Sequence, residues 1–144
     1  MSGFHFNLER VLRWRASQLA AEEARLRGLI EEESVLAAKL DSIGNAIAGM
    51  PLQIAALHEI RGSDLNRMAA HRLQLMNERE KTARLCREKK KKVLEQAEVH
   101  RTAKQRHRLL EELRNRRHHE WTTRLSRELD ELAHDSYLAQ WKTL

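Results

Sequence analysis

The chain is poor both in residues that interrupt helices and in residues that fill a wide core. Its 144 residues include only five glycines and one proline, and aromatic residues make up 4%. Loop-rich and β-rich domains need more turn residues than this, and a broad core needs more large side chains. The composition therefore indicates long helices that bury a narrow seam.

Cysteine and long apolar runs are also scarce. The one cysteine, Cys86, provides no disulfide framework and fits a reducing compartment, and we interpret it as a small residue of a helix seam or surface. No apolar run reaches the roughly 18 residues of a membrane-spanning helix. The first residues lack the basic and apolar segments of a signal peptide. We therefore expect a cytoplasmic protein.

The chain contains instead a long apolar repeat. Fifteen positions taken alternately four and three residues apart include twelve apolar residues, and the phase does not change along the series. A period of about 3.5 residues is typical of a coiled-coil helix that packs its seam against a partner helix. The fifteen positions are Leu8, Leu12, Arg15, Leu19, Glu22, Leu26, Leu29, Glu33, Leu36, Leu40, Ile43, Ile47, Met50, Ile54 and Leu57.

The first helix is expected to begin at Leu8. Asn7 is a favourable N-cap, and Glu9 then falls in the first turn, where the helix dipole favours an acid. Phe6 and Val11 have the spacing of a hydrophobic staple across such a start.

Two segments could form the turn that ends this helix. Pro51 should kink or break a helix, but the repeat continues through it without a change of phase. We therefore interpret Pro51 as a kink and place the turn at residues 61–64, where Gly62 could adopt a left-handed cap and Ser63 or Asp64 could cap the next helix. A turn at residues 49–51 is the alternative.

No glycine or proline follows Asp64. The sequence thus predicts an all-α fold, an antiparallel two-helix coiled-coil hairpin with a longer second helix. It would be a single coiled-coil domain over residues 1–144, with helix 1 at about 8–60, the turn at about 61–64 and helix 2 at about 65–142. The turn sets a register that opposes Glu31–Glu33 to Lys89–Lys92. It also pairs Leu57 with Met68, Met50 with Leu75, Leu40 with Leu85, Leu26 with Val99 and Leu12 with Leu113.

Unequal helices leave roughly the last 25 residues of the second helix without a partner. An apolar stripe runs along this unpaired end of the second helix, and such a stripe predicts a protein partner. It consists of Trp121, Leu125, Leu129 and Leu132. All six aromatic residues, Phe4, Phe6, Trp14, Trp121, Tyr137 and Trp141, should gather at the open end, either as a binding hot spot or as a seal of the coiled coil.

A second set of apolar residues lies off the seam near the turn. It consists of Leu52, Ala56 and Ile60 on the first helix and Leu65, Ala69, Leu73 and Met76 on the second. These residues indicate either a second contact surface or a seam that widens beside the turn.

The net charge of +6 is concentrated in one block. Residues 61–109 contain fifteen Lys and Arg against six Asp and Glu, whereas the flanking segments are close to neutral. A basic block can bind nucleic acid, or it can be a solvated helix face opposite acidic residues. Because no aromatic residue lies between Trp14 and Trp121, the block lacks a stacking platform for single strands. We favour the solvated face.

Nothing in the sequence indicates a catalytic or metal centre. There is no glycine-rich phosphate loop, and the adjacent His118 and His119 point about 100° apart on a helix, unlike the paired ligands of a helical zinc site. Glu111 and Glu112 are ordinary surface charges without a pocket. We expect no enzymatic activity, no cofactor, no metal and no small-molecule substrate.

Each chain end carries a recognisable motif. The N-terminal motif is Phe4-x-Phe6-x-Leu8-Glu9-x-Val11-Leu12-x-x-Arg15. The C-terminal motifs are Leu110-Glu111-x-Leu113, Arg116-Arg117, Glu120-Trp121 and Leu129-Asp130-Glu131-Leu132-Ala133. Both ends resemble the FliJ family, the coiled-coil component of the bacterial flagellar type III export apparatus. Total length and a turn before the midpoint also match, although relatives often carry a Gln-Lys type pair at the position of Arg127-Glu128.

This resemblance implies a non-enzymatic stalk, similar to the central stalk of rotary ATP synthases. The terminal end would contact the export ATPase FliI, the other end would contact the export gate protein FlhA, and the protein would take part in export-chaperone cycling at the inner membrane of the flagellar base. The ATPase contact would fall to Phe4, Phe6, Leu129, Asp130, Glu131 and Leu132. The gate contact would fall to Leu65, Leu73 and Met76.

Three alternatives stay open. The chain could be the equivalent stalk of a virulence type III secretion system, which the sequence does not separate from the flagellar one. It could be a basic coiled coil that binds nucleic acid. It could also be a structural coiled coil that only associates with itself.

Overall fold

The computed structural model describes residues 3–143. It confirms the predicted fold class, an all-α hairpin of two antiparallel helices in which the second is longer. Helix α1 spans Glu9–Ala55 and helix α2 spans Gly62–Lys142.

Helix α1 begins one residue later than predicted. The N–H of Glu9 donates to the carbonyl of Phe6 at 3.1 Å, which makes a tight turn before the helix proper. Asn7 lies in this turn, and Glu9 occupies the first helical turn, where its charge suits the dipole. Phe6 is only 7% exposed while Val11 is exposed, so the expected staple does not bury both side chains.

Pro51 lies inside α1, as predicted. The helix continues past it to Ala55, so the alternative turn at residues 49–51 is wrong. An interior proline removes one backbone hydrogen bond, and the turns on either side of Pro51 remain helical in spite of this loss.

The connection between the helices occupies residues 56–61, earlier than the predicted 61–64. The N–H of Leu57 donates to the carbonyl of Ile54 at 3.2 Å. This shorter i to i−3 bond closes the end of α1. Leu57 is therefore exposed in the turn, and its predicted seam pairing with Met68 is wrong.

The predicted caps around Gly62 are also displaced. Gly62 does not have a positive φ and is the first residue of α2 rather than the left-handed end of α1. The N–H of Asp64 donates to the carbonyl of Arg61 at 3.0 Å, so Ser63 and Asp64 lie in the first turn of α2 instead of before it. Asp64 still suits this position, because acids near a helix N-terminus are stabilising.

The chain, which we expected to form one domain, divides into two compact units. The turn unit comprises Ala21–His100. The terminal unit comprises Met1–Ala20 and Arg101–Leu144. Antiparallel pairing is seen within each unit.

The apolar repeat of α1 forms its inward face, as predicted. Thirteen of its fifteen positions are buried or half-buried, and the two exposed ones, Leu8 and Leu57, lie at its ends. Ile43 and Met50 are the most buried residues of the helix. The sequence therefore predicted the phase of this seam correctly.

The seam of α2 is more polar, and here the predicted pairing is partly wrong. Leu85 and Val99, expected to face α1, are 51% and 47% exposed, whereas the adjacent Cys86 and His100 turn inward. The positions of the leucines in α2 did not predict which residues face α1, because polar residues occupy much of the inward face of α2. Its positions follow steps of four and three through Thr82, Cys86, Lys89, Val93, Gln96, His100, Ala103, His107 and Leu110.

The other two predicted pairings agree with the burial of their members. Met50 and Leu75 near the turn, and Leu12 and Leu113 in the terminal unit, are all buried or half-buried. Burial alone does not show which residues are opposed, and the contacts between the helices of the turn unit are shifted from the predicted register. Glu22 meets Gln96, whereas a register that pairs Leu26 with Val99 opposes Glu22 to Ala103.

Candidate interaction surfaces

A polar pair interrupts the seam of the turn unit. The side-chain amide of Gln96 donates to the carboxylate of Glu22 at 2.5 Å and to the backbone carbonyl of Glu22 at 3.2 Å. Both residues are half-buried. Such a pair favours one register, because sliding would leave both polar groups unpaired in a partly desolvated seam.

The predicted meeting of the acidic triplet with the lysine run is seen at one pair. The ammonium of Lys89 lies 2.5 Å from the carboxylate of Glu32. The hydrogen bond and positive charge of Lys89, aided by the charge of Lys92, hold the pKa of Glu32 below its ordinary value. Glu32 is exposed, so solvent screens this interaction.

The N-terminal segment is held against α2 within the terminal unit. Phe6 is its buried residue, and the carboxylate of Glu9 pairs with the guanidinium of Arg114 at 3.0 Å. The sequence did not identify this ion pair, since neither residue belongs to the apolar repeat. Together the two contacts position the residues that precede α1.

Three rings form a cluster beside this segment. Phe4 and His118 meet edge to face with centroids 4.9 Å apart, and Trp121 lies 6.0 Å from Phe4 and 5.9 Å from His118. We call Phe4, His118 and Trp121 the ring cluster. Sequence reasoning missed His118, although its spacing of three residues from Trp121 places both on one helix face.

All six aromatic residues belong to the terminal unit, as the hairpin predicts, but they do not form one cluster. Trp14 is exposed and carries the guanidinium of Arg15 over its ring at 4.8 Å. Tyr137 and Trp141 form a separate pair with centroids 6.3 Å apart. The reason is distance, because the sixteen residues from Trp121 to Tyr137 span about 24 Å of helix.

Hollows flank the N-terminal segment on two sides. One cavity, of about 430 Å³, is lined by Phe4 and Trp121 together with Arg117 and Arg124. A second, of about 480 Å³, lies beside Phe4–Asn7 and is lined by Arg10, Arg13 and Arg114. Both therefore combine aromatic or apolar surface with guanidinium groups.

In the terminal unit, the apolar stripe of α2 passes from half-buried to exposed positions. Trp121 and Leu125 are half-buried, whereas Leu129 and Leu132 are 47% and 57% exposed. Every described residue from 126 to 143, including Asp130 and Glu131, is exposed. We call residues 126–142 the overhang.

A groove lies next to the turn in the turn unit, and we call it the tip groove. Its cavity measures about 480 Å³, and its walls include the exposed Leu65, Leu73 and Met76 predicted as a contact surface. Met side chains adapt to irregular partners. The full lining is Ile47, Met50, Pro51, Ile54, Leu65, Met68, Ala69, Arg72, Leu73 and Met76.

The described part of the chain contains no group of three or more His, Cys, Asp or Glu that could hold a metal ion. Within residues 3–143, no helix is long and apolar enough to cross a membrane. The ring cluster, the overhang and the tip groove present aromatic or apolar side chains that the described residues leave partly uncovered.

These features define a coiled-coil hairpin with uncovered apolar surface in each of its two units. No family model, curated protein or solved structure gives a significant match to the chain.

Proposed function

We propose that this chain is a non-enzymatic FliJ-type stalk of a bacterial flagellar type III export apparatus. It binds the export ATPase, promotes assembly of the ATPase ring and couples the ring to the export gate, at the cytoplasmic side of the inner membrane. The motifs at both chain ends support the proposal. The observation that carries it is the exposed leucine stripe of the overhang, which continues from the ring cluster.

The overhang is the proposed ATPase contact. Leu129 and Leu132 lie on one helix face and are 47% and 57% exposed. Leaving such a stripe in water is unfavourable, so a partner that covers it gains hydrophobic free energy. Asp130 and Glu131 flank the stripe and would orient the partner through their charge.

Phe4 and Phe6 contribute to this contact in different ways. Phe4 belongs to the ring cluster and lines a cavity that the partner could enter. Phe6 is buried and holds the segment in place. We therefore expect Phe4 to act on binding directly and Phe6 through the position of Phe4.

The tip groove is the proposed gate contact. It presents Leu65, Leu73 and Met76 beside Pro51, and grooves of this kind accept an apolar helix or extended segment. Export chaperones are further proposed partners, without an assigned surface.

The test is stimulation of the cognate export ATPase. We would compare the full chain with Leu129→Glu/Leu132→Glu and with a matched control, Val35→Glu/Leu109→Glu, which places two charges at residues that are also exposed. The wild type and control should raise ATP hydrolysis and hexamer formation, and the overhang variant should not. Circular dichroism would verify that all three chains are helical.

Each outcome bears on the proposal. Absence of stimulation by the wild type would refute the stalk function, and equal stimulation by all three chains would move the contact away from the overhang. Repeating the assay with the ATPase of a virulence secretion system tests that alternative. Leu73→Glu/Met76→Glu should abolish binding to the cytoplasmic part of the gate protein while ATPase stimulation persists.

A further inference from the structure

Within the terminal unit, two successive stretches of α2 carry opposite charge. Residues 116–127 contain four arginines and one glutamate, whereas residues 128–141 contain four acids and no lysine or arginine. All of these charged residues are exposed. Two copies of this part of α2 laid antiparallel would therefore place each basic stretch beside an acidic one.

Four of the charges form a row along one side of the apolar stripe. Arg124 follows Arg117 by seven residues, Glu128 follows Arg124 by four, and Asp135 follows Glu128 by seven. These steps keep the four side chains within about 40° of one another around the helix. None of them forms an ion pair within residues 3–143. We call these four residues the charge row.

The other charged residues near the row do not reverse its order. Glu120 lies next to the two arginines and Glu131 next to the two acids, both on the side of the row away from the stripe. Lys142 follows Asp135 by seven residues, at the very end of α2. On the opposite side of the stripe the flanking residues are uncharged. They are Thr122, Ser126, Ala133 and Gln140.

The apolar stripe and the charge row favour the same alignment of two copies. An antiparallel pairing that opposes Leu125 to Leu129 of a second copy also opposes Trp121 to Leu132, to within about one residue. The same alignment opposes Arg124 to Glu128, and Arg117 to Asp135, to within about two residues. Apolar and charged contacts can therefore form together.

We propose that two copies of this chain pair antiparallel through the apolar stripe and the charge row of their terminal units. The contact is isologous, so each pair of residues occurs twice about a two-fold axis. Burial of Leu129 and Leu132 supplies hydrophobic free energy, and the charges set direction and register. A parallel pairing in the same register would instead oppose like charges along the whole row.

The hollow beside the N-terminal segment suits this arrangement. Its cavity of about 430 Å³ is lined by Phe4, Trp121 and the two arginines of the charge row, and Glu120 is the one acid in the lining. An acidic side chain of the second copy can approach the guanidinium groups there, while the two rings offer apolar surface to its leucines. The pairing covers the leucines of the proposed ATPase contact, but it does not rest on that function.

Sedimentation velocity of the full chain over a concentration series tests for the pairing. The mean mass should rise from monomer to dimer and no further, because an isologous contact is closed. High salt should weaken the dimer, since the charge row is exposed. Leu129→Gln/Leu132→Gln should stay monomeric, whereas Val35→Gln/Leu109→Gln, which changes two other exposed residues, should dimerise as the wild type does.

Charge exchange tests the register. Arg117→Glu/Arg124→Glu should weaken the dimer roughly 100-fold, because contacts between opposite charges become contacts between like charges. Adding Glu128→Arg/Asp135→Arg to the same chain restores both the net charge and the opposition of charges in the antiparallel alignment. This fourfold variant should therefore dimerise again. Circular dichroism would verify that both variants are as helical as the wild type.

A matched control separates the charge row from a general effect of charge. Arg61→Glu/Arg67→Glu makes the same change of net charge as the arginine variant, but at exposed residues of the turn unit. Its dimer should be close to that of the wild type.

Single cysteines report the direction of the pairing, in a chain that also carries Cys86→Ser. In the proposed alignment the two copies of residue 126 lie at the same height along the paired helices, whereas the two copies of residue 133 lie about 20 Å apart. Ser126→Cys should therefore form a disulfide between copies under mild oxidation, and Ala133→Cys should not. A parallel dimer would cross-link at both positions.

Three results would overturn the proposal. The first is a wild-type chain that stays monomeric at every concentration. The second is dimerisation of the arginine variant equal to that of the wild type, which would place the contact on another surface. The third is a fourfold variant that stays monomeric, or a cross-link at residue 133, which would refute the antiparallel register. No measurement here uses the ATPase, so failure of this proposal is distinguishable from failure of the stalk function.

Discussion

Gln96 donates its side-chain amide to both the carboxylate and the backbone carbonyl of Glu22, across the seam of the turn unit. Glu22 is one of three polar positions, with Arg15 and Glu33, in the mainly apolar repeat of α1. These two hydrogen bonds can form in only one alignment of α1 with α2. The pair therefore favours that register, whereas the neighbouring leucines can pack in more than one.

The first prediction concerns this pair. Glu22→Leu should leave the half-buried amide of Gln96 without its partner and lower the free energy of unfolding by about 1–2 kcal/mol. Glu22→Leu/Gln96→Leu should recover that loss, since two apolar side chains suit the seam. Urea unfolding provides the measurement, and a single variant as stable as the wild type would show that the pair does not contribute.

The second prediction concerns pH. Lys89 holds the pKa of Glu32 below its ordinary value of 4.5 through a hydrogen bond and its charge. A carboxyl whose pKa is lowered by folding stabilises the protein above its unfolded pKa, and this stabilisation is lost as pH falls through the lower folded value. The thermal midpoint should therefore fall as the pH drops below 4.5.

Substitutions test whether Glu32 causes this loss of stability at acid pH. Glu32→Gln should make the acid side of the stability profile shallower, and the difference should shrink in high salt because Glu32 is exposed. Glu31→Gln is the matched control, since Glu31 has no ion-pair partner within residues 3–143. Superimposable profiles for wild type and Glu32→Gln would contradict the assignment.

The third prediction concerns the N-terminal segment. Phe6→Ala removes a buried ring and should destabilise the terminal unit by about 3 kcal/mol. Hydrogen exchange should rise in the first turns of α1 and should change little in residues 62–90. Trp14→Ala, at an exposed position, serves as the control and should leave exchange nearly unchanged. Uniform acceleration along the whole chain would instead indicate global destabilisation.

The fourth prediction uses the free thiol. Cys86 is buried in the seam of α2, so a thiol reagent should label it much more slowly in the native chain than in urea. Its labelling rate then reports opening of the turn unit, and Glu22→Leu should raise that rate. Native labelling as fast as in urea would mean that the seam does not protect this position.

Much of the fold could be predicted because its signals are local. The repeat of α1 runs through Pro51 without a change of phase, and the helix does the same. The end of α1 was harder to place, since residues 56–60 are compatible with a helix and only the bond from Leu57 to Ile54 shows that the chain turns there.

The candidate surfaces were predictable in part. Leu129 and Leu132 are exposed, and Leu65, Leu73 and Met76 line one groove, as their spacing suggested. The ring cluster was only half predictable, because His118 was considered as a metal ligand and not as an aromatic neighbour of Phe4. No sequence pattern links two residues that lie so far apart in the chain.

By itself, the sequence determined that this protein consists of two long helices with an apolar seam on the first. Helix formation depends on local sequence, and both the apolar repeat and the absence of glycine and proline after Asp64 are visible there. Only the tertiary structure decided which face of α2 packs inward. Charges surround that helix on several faces, and contact with α1 selects Cys86 over Leu85 and turns Lys89 toward Glu32. The same choice leaves Lys90, Lys91 and Leu94 facing the solvent.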